Sequence, residues 1–525
     1  MDVRGITNVD YGIIIGYFSL VLIMGYVLAR RIKTGDDLFL AGNRLGWAAI
    51  GFSLFASNIS SASIIGLTGQ AYASGISIAN YEWMATFILV FIAIWVCPLY
   101  LKNRISTVPQ YLELRYDGFI RRYYSGLTIF LMMVVDIAAS LFAGALVINV
   151  FFPEIGIVRA CYFIALISGI YTAAGGLAAV VYTDILQSII LILGSSIILY
   201  AILGQHHFSW SEAIHSVSPE NLSFIRPLND PELPWLGTLI GVSALGFYYW
   251  GTNQYVVQRI LGAKNLSHAR WGALFGGLLK LSTLFLLVFP GVFALKIFPG
   301  LENPDMVFPT MVMHLIPPGV VGLVLAGLIA AIMSSVDSAL NASATLIVLD
   351  FIRPKNPGLS QRQLALYGRI ATIAIMFVAG FWAPAITHFQ GIFIYLQLVL
   401  TFAVPPVVVI FLLGFFWEKG SPKTARHTLF FGHGLCLLSM ILYTQGVFRI
   451  HFTILAGLLA ILCLIMYVSF EYVFTPSSAP TLSDQAQVTW KTLTLPKVTY
   501  KWFENPFFLS FLITALATSI VLIYW

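Results

Sequence analysis

Charge is scarce in this 525-residue chain: Asp, Glu, Lys and Arg make up only 10% of it, against 59% hydrophobic residues. Mean hydropathy is +0.89. So few charges cannot wet a soluble surface, which excludes a water-soluble globular protein and leaves a polytopic membrane protein. Short alternating segments are also missing, which disfavours a membrane barrel. Cysteine is rare, and Cys97, Cys161, Cys436 and Cys463 all fall in apolar stretches without CxxC spacing. They indicate neither a disulfide framework nor a metal site. The nine histidines show no ligand spacing. No GxxxxGK[ST] loop is present to cradle a nucleotide phosphate. The longest polar connections, 204–234, 347–365 and 475–504, are too short for a soluble catalytic domain. No catalytic constellation emerges, so the expectation is a non-enzyme without a cofactor.

What remains is long apolar runs. Segments of about 20 residues, enough to cross the hydrocarbon, lie at 9–29, 47–74, 79–101, 124–150, 157–178, 182–203 and 235–255. They continue at 270–295, 319–346, 366–384, 388–416, 427–447, 452–474 and 505–525. That predicts an all-α protein with fourteen spans. The connections on one side of these spans hold 22 of the 28 Lys and Arg residues, among them Arg115, Arg259 and Arg270. Positive residues mark the cytoplasmic face, so both termini are expected outside. The net charge of +6 is thereby explained by topology and not by nucleic-acid binding.

Grouping the spans gives a first helix and cytoplasmic loop (1–46), a five-span group (47–205), an outer loop (206–234) and a second five-span group (235–417). Peripheral helices follow (418–525), with a cytoplasmic linker at 475–504. An odd number of crossings per group makes the two groups inverted relative to each other, the arrangement of transporters whose site lies at mid-membrane between broken helices. Each group opens on a polar, interrupted segment: "SNISSAS" in the first, "SALGFYYWGTNQ" in the second.

Unwound backbone is tolerated at membrane depth only where it lines a cavity, and a run of small polar residues at 56–63 covers more than two helical turns. A second polar cluster, "AAIMSSVDSALNASAT" at 330–345, brings Ser334, Ser335 and Ser338 together with Asp337. Hydroxyls plus freed carbonyls form an oxygen cage for a hard monovalent cation. Glu82, Asp136, Asp184 and Lys280 are ionisable residues within or near spans, where each faces a partner or a pathway. For Glu82 and Lys280 two readings stand: a structural ion pair, or a polar clamp on a hydroxylated solute. Tyr248, Tyr249 and Trp250 offer ring faces that stack on a sugar or close one side of a cavity. No arginine is expected in that cavity, which weighs against an acidic solute.

The stretches "FLAGNRLGWAAIGFSLFASNISSASIIGLTG", "YEWM", "YTAAGGLAAVVYTDILQ", "YYWGTNQYVVQRILGAKN", "LIAAIMSSVDSALNASAT" and "FLLGFFWEK" resemble the sodium/solute symporter family, closest to its sodium/glucose and sodium/myo-inositol cotransporter branch. The resemblance runs over nearly the whole chain and implies the LeuT-type fold of inverted five-helix repeats. It implies a sodium site at the backbone oxygens of Ala56, Ile59 and Ala331 and the hydroxyls of Ser334 and Ser335. Solute contacts would fall to Asn58, Glu82, Lys280 and Gln397, with Ser63 at a further substrate position. Tyr249 with Trp250 would form the inner gate, and Leu67, Tyr81 and Phe393 the outer one. Three positions depart: Ser63 stands where sugar-transporting relatives carry Gln or His, Ala85 replaces a polar residue and Gly246 replaces Asn. Lost polar partners bear on specificity, which points away from glucose or galactose. A second, weaker cation site is expected at Asp184, Asp337 and Ser338, with Ser335 between the two sites.

The expected function is sodium-driven import of a small neutral hydroxylated solute, a monosaccharide or cyclic polyol, by alternating access in a bacterial inner membrane. The lipid bilayer is the expected environment, with no obligate protein partner. Two rivals are a symporter of the same fold for an amino acid or sialic acid, and a sugar sensor or leak pathway that does not accumulate its solute.

Overall fold

The computed structural model describes residues 7–30, 34–151, 153–388, 392–474, 489–495 and 500–525; most of the expected linker 475–504 lies outside them. The described residues are helical throughout, with one isolated strand-like bridge between Leu45 and Ala263. In chain order the principal helices are α1 (Asn8–Ala29), α2 (Trp47–Asn58), α3 (Ser61–Ser74), α4 (Ile76–Lys102), α5 (Gly118–Asn149), α6 (Ile157–Gly204), α7 (237–252) and α8 (Gln254–Leu261). They continue with α9 (Leu266–Ile297), α10 (Val321–Lys355), α11 (Gln361–Ile386), α12 (Ile392–Ala403), α13 (Pro405–Phe416), α14 (Pro422–Thr444), α15 (Phe452–Phe474) and α16 (Pro506–Ile523).

Ten helices among the described residues are long and apolar enough to cross a bilayer, and twelve when each of two bent pairs counts as one span. The bent pairs are α2/α3, angled by 61°, and α12/α13, angled by 54°. The chain is a multi-pass integral membrane protein. The other two expected spans fall where the helices are cut short. One is the first arm of α6, the other is α7/α8, which is interrupted at Asn253 (φ −69°, ψ 124°).

Helix α6 has 48 residues, which at 1.5 Å each would reach about 72 Å if straight, more than twice the hydrocarbon thickness. It is kinked at Gly176 (φ 53°, ψ −159°), where two helices join. A Cβ there would lie 2.5 Å from both Cδ1 and the carbonyl oxygen of Leu38, so only glycine meets the backbone angles and the close approach together.

Burial separates centre from rim. In α10 the most apolar stretch is 89% buried, against 17% in α1 and 22% in α16. Helix α10 runs along α6 and beneath α2, and it carries the serine cluster. The Asp10 side chain caps the first turn of α1 and accepts the Gly319 and Gly322 amides (3.1 and 2.6 Å), which pins the rim helix to the start of α10. Arg115 and Arg270, counted above with the connections, are buried. Arg115 donates to the carbonyls of Gly414, Trp417 and Gly420, and Arg270 to that of Ala93.

Candidate functional site

The break between α2 and α3 follows from its serines. The Ser60 hydroxyl accepts the Ser63 amide at 3.2 Å and caps α3, so the Ser63 amide is turned away from the Ile59 carbonyl it would meet in a continuous helix. The Ser60 amide bonds the Asn58 carbonyl at 3.0 Å, which relieves the Ala56 carbonyl of its helical donor. The Ser63 hydroxyl also reaches the Asn58 carbonyl, at 3.3 Å. Ser63 thus spends its polarity on the break itself.

Helix α10 meets the exposed carbonyls. The Ser334 hydroxyl donates to the Ala56 carbonyl (2.9 Å) and the Ala331 carbonyl (3.1 Å). The Ser335 hydroxyl donates to the carbonyls of Ser57 and Ala331, both at 3.2 Å. Ala56, Ala331, Ser334 and Ser335 of the expected sodium set are therefore brought together, with the Ser57 carbonyl added to them. Ile59 lies buried at the break beside them. This is a cage of neutral oxygens of the kind a hard monovalent ion takes.

On the other side of the same break, the Lys280 ammonium from α9 contacts both the Asn58 side-chain oxygen and the Glu82 carboxylate. Lys280 is fully buried, and its ammonium sits 5.5 Å from the centre of the Trp250 ring. A buried ammonium is held by paired charge and hydrogen bonds, and Glu82 and Asn58 supply both. Tyr249 hydrogen-bonds Asn58 and contacts the Tyr255 hydroxyl.

Beside them lies a cavity of about 130 Å³, lined by Asn58, Ser63, Tyr81, Glu82, Tyr249, Trp250, Gln397 and Ser335 of the expected set, whereas Lys280 is not among its lining residues. Gly246 also lines it, and Ala85 does not. Leu67 is buried in α3 away from the lining, and the side chain of Phe393 lies outside the described residues.

Next to the cage lies a second polar cluster. Asp184 Oδ2 accepts the hydroxyls of Ser53 (2.5 Å) and Ser57 (3.2 Å) and Nη2 of Arg259 (3.2 Å). The guanidinium also donates to Ser53 Oγ (2.6 Å), Ser57 Oγ (2.5 Å), Ser338 Oγ and the Tyr255 carbonyl. Asp184, Asp337, Ser338 and Arg259 are all buried. The structure therefore corrects the assignment of Arg259 to a connection: it is interior, and it carries a cation to the group expected to hold a second cation. Asp184 Oδ1, in contrast, is buried without a hydrogen-bond partner among the described residues. Sequence reasoning missed Arg259 and Tyr255. Both lie in the run Gln254–Leu261, in which every residue is buried, polar and apolar alike, and hydropathy carries no signal of that burial.

Comparison with known proteins places this geometry among transporters. The sequence pattern of the Sodium:solute symporter family matches residues 38–432. The chain is 35% identical over 471 residues to the sodium/myo-inositol cotransporter 2 of Mus musculus, covering 82% of this chain and 70% of that one. It is 32% identical over 478 residues to the sodium/glucose cotransporter 4 of Homo sapiens, covering 83% and 69%. Among solved structures, a substrate-bound, outward-open sodium-coupled sialic acid symporter superposes with a TM-score of 0.79 at 21% identity, covering 90% of this chain and 99% of that one. A nucleobase-cation-symport-1 family transporter superposes with a TM-score of 0.58 at 14% identity, covering 83% and 94%. At those identities the likeness is one of fold.

Proposed function

This chain belongs to the sodium:solute symporter family, and we propose that it uses inward sodium flow to import a small hydroxylated solute, a monosaccharide or a cyclic polyol. The observation that carries this reading is the division of labour at one helix break. Ala56 and Ser57 turn their carbonyls to the Ser334 and Ser335 hydroxyls. The next residue, Asn58, lines the cavity and turns its side chain to the buried Lys280 and to Tyr249.

A sodium ion among the oxygens of Ala56, Ile59, Ala331, Ser334 and Ser335 replaces direct hydroxyl–carbonyl bonds by ion contacts and fixes the break. Fixing residues 56–59 sets the Asn58 amide against the cavity, so sodium and solute each favour the other's binding, a coupling that is reciprocal by linkage. Asn58, Glu82, Lys280 and Gln397 then supply acceptors and donors to solute hydroxyls, while Tyr249 and Trp250 offer ring faces. Tyr81 and Phe393 close the outer side with Leu67 behind them, and Tyr249 the inner. Occlusion follows from the difference in affinity between states. One charge falling through 100 mV supplies about 2.3 kcal/mol, or roughly fifty-fold accumulation, without nucleotide hydrolysis.

We assign fourteen crossings, both termini outside, and two inverted repeats, 47–205 and 235–417. The matching interruptions at Ile59 and Asn253, in the first span of each repeat, support that symmetry. A bacterial inner membrane is the proposed location. A second, weaker cation site is proposed at Asp184, Asp337 and Ser338. The unbonded Oδ1 of Asp184 supports it, and the neighbouring guanidinium of Arg259 weakens it by charge repulsion.

The test is uptake into liposomes holding the full chain, with labelled myo-inositol and labelled glucose under an imposed sodium gradient. Accumulation that collapses when sodium is equalised or replaced by potassium supports symport. Binding without accumulation supports a sensor, and accumulation of sialic acid or amino acids alone overturns the choice of solute.

A further inference from the structure

Asp136 is the carboxylate that the coupling scheme leaves unused. Glu82 and Asp136 are the two carboxylates lining the cavity among the described residues. Glu82 is neutralised by Lys280. Asp136 has no ion-pair partner among the described residues. The polar groups beside its carboxylate are neutral, the Tyr255 hydroxyl and the Asn253 side chain. The neighbouring guanidinium of Arg259 is taken up by Ser53, Ser57, Asp184, Ser338 and the Tyr255 carbonyl.

The local backbone presents Asp136 to the cavity. It lies in a π-helical turn of α5, Met132–Ile137, a local widening of the helix that recurs at functional sites. Val135, Asp136, Ala139 and Ser140 together form the α5 wall of the cavity, and the Asp136 side chain is half-buried there. Tyr249 and Tyr255 stand edge to face beside it, 5.6 Å between ring centres. A carboxylate among aromatic faces attracts a cationic group twice, by charge and by the ring quadrupoles. With Glu82 and Lys280 cancelling, the cavity is one positive charge short.

We propose that Asp136 recognises a protonated amine on the transported solute, so that the site takes amino-substituted sugars or cyclitols in preference to their neutral parents. The proposal rests on the symporter reading and deepens it. The hydroxylated end of the ring meets Asn58, Glu82 and Gln397, and the amine end meets Asp136 and the tyrosine rings.

The test is competition against sodium-driven uptake of labelled myo-inositol and labelled glucose by the full chain in liposomes at pH 6.5. The competitors are an inosamine against inositol, and glucosamine against glucose. The amine should compete better than its parent by about tenfold, the difference between a charge-assisted and a neutral hydrogen bond. Asp136→Asn should bring that ratio close to one, and Asp136→Glu, which keeps the charge, should retain it. A wild-type ratio of one overturns the proposal, as does an Asp136→Asn variant that weakens amine and parent alike, the mark of a carboxylate that serves hydroxyls. A charge-to-inositol ratio of two that falls to one in Asp136→Asn also overturns it, by showing a coupling ion there instead. If wild-type protein takes up neither labelled solute, the choice of solute under the symporter reading fails. Asp136 is then judged by thermal shift of the purified chain with each amine and its parent, where a missing amine preference overturns the proposal.

Discussion

Removing the Arg259 guanidinium tests whether the buried charge pair organises the site. Arg259 and Asp184 are both fully buried, and the serines around them, Ser53, Ser57 and Ser338, are at most 2% exposed. Arg259→Met keeps the volume and deletes the cation. Asp184 would then stay buried with only the Ser53 and Ser57 hydroxyls as donors. Breaking a buried pair from one side costs about 3–5 kcal/mol, and two retained hydroxyl bonds place this case at about 3 kcal/mol, the low end of that range. Asp184→Asn should cost less, because the guanidinium keeps its serine and carbonyl acceptors. The double variant leaves no unpaired charge, and neutral replacement of both partners is commonly tolerated. It should therefore recover at least about 1–2 kcal/mol over Arg259→Met, a coupling expected of residues in direct contact.

The assay is reversible denaturation in mixed micelles for wild type, both single variants and the double variant, with and without sodium. Sodium should stabilise Arg259→Met more than wild type, since a free carboxylate is then available to the ion and binding to the folded state raises stability by mass action. Either of two results refutes the reasoning: an Arg259→Met variant as stable as wild type, or a double variant no better than the worse single one.

Three further outcomes follow from the geometry. Ser334→Ala, by removing one oxygen from the cage, should raise the sodium concentration for half-maximal uptake by roughly tenfold, the effect of one bond of about 1.5 kcal/mol to a charged group; an unchanged sodium requirement would place the ion elsewhere. Gly176→Ala forces a Cβ into the Leu38 backbone at φ 53°, and should lower stability by about 2–3 kcal/mol in the same denaturation assay; an unchanged stability would refute the glycine requirement. Burial pushes the imidazole of His451, just before α15, down from 6.5 to about 4, against the pull of Asp230 and the Glu232 backbone. The folded state then holds His451 neutral while the unfolded chain protonates it below pH 6.5. Stability is thus complete above that pH and falls as the pH drops towards 4. His451→Gln should flatten the loss of thermal stability between pH 7.5 and pH 5.

The features legible in the sequence share one property: they are polar residues where an apolar residue was due. The serine run at 56–63 foretold the break, since hydroxyls near a helix terminus take over backbone amides, as Ser60 does with the Ser63 amide. Glu82 and Lys280 stood out for the same reason, and they meet. Arg259 did not stand out, because it ends an apolar stretch close to Lys264, where hydropathy cannot tell a snorkelling loop cation from an interior one. The two arms of α6 were visible as two spans, but not that a single glycine joins them. That depends on Leu38, more than a hundred residues away. Asp136 was visible as an intramembrane charge. Its lack of a cationic partner became visible only with Glu82 paired to Lys280 and Arg259 to Asp184.

In the proposed scheme those pairings put the coupling at one helix break. Ser57 gives its carbonyl to Ser335 on the cage side, while its hydroxyl joins Arg259, Asp184 and Ser338 in the second cluster. Asn58, one residue on, gives its side chain to the solute side. A peptide unit is planar and stiff, so rotating the Ser57 carbonyl toward or away from an ion also turns the amide plane that carries Asn58. Communication between ion and solute then needs no chain of side chains through the bundle. It needs only that the break stay loose without sodium and ordered with it, and residues 59 and 60 lie outside regular helix. Stiffening that break by Ser60→Ala, which removes the hydroxyl that captures the Ser63 amide and leaves α2 and α3 free to merge, should therefore uncouple the two ligands. Inositol binding would lose its sodium dependence while the solute-contacting side chains remain in place. If sodium dependence survives in Ser60→Ala, coupling does not run through this peptide.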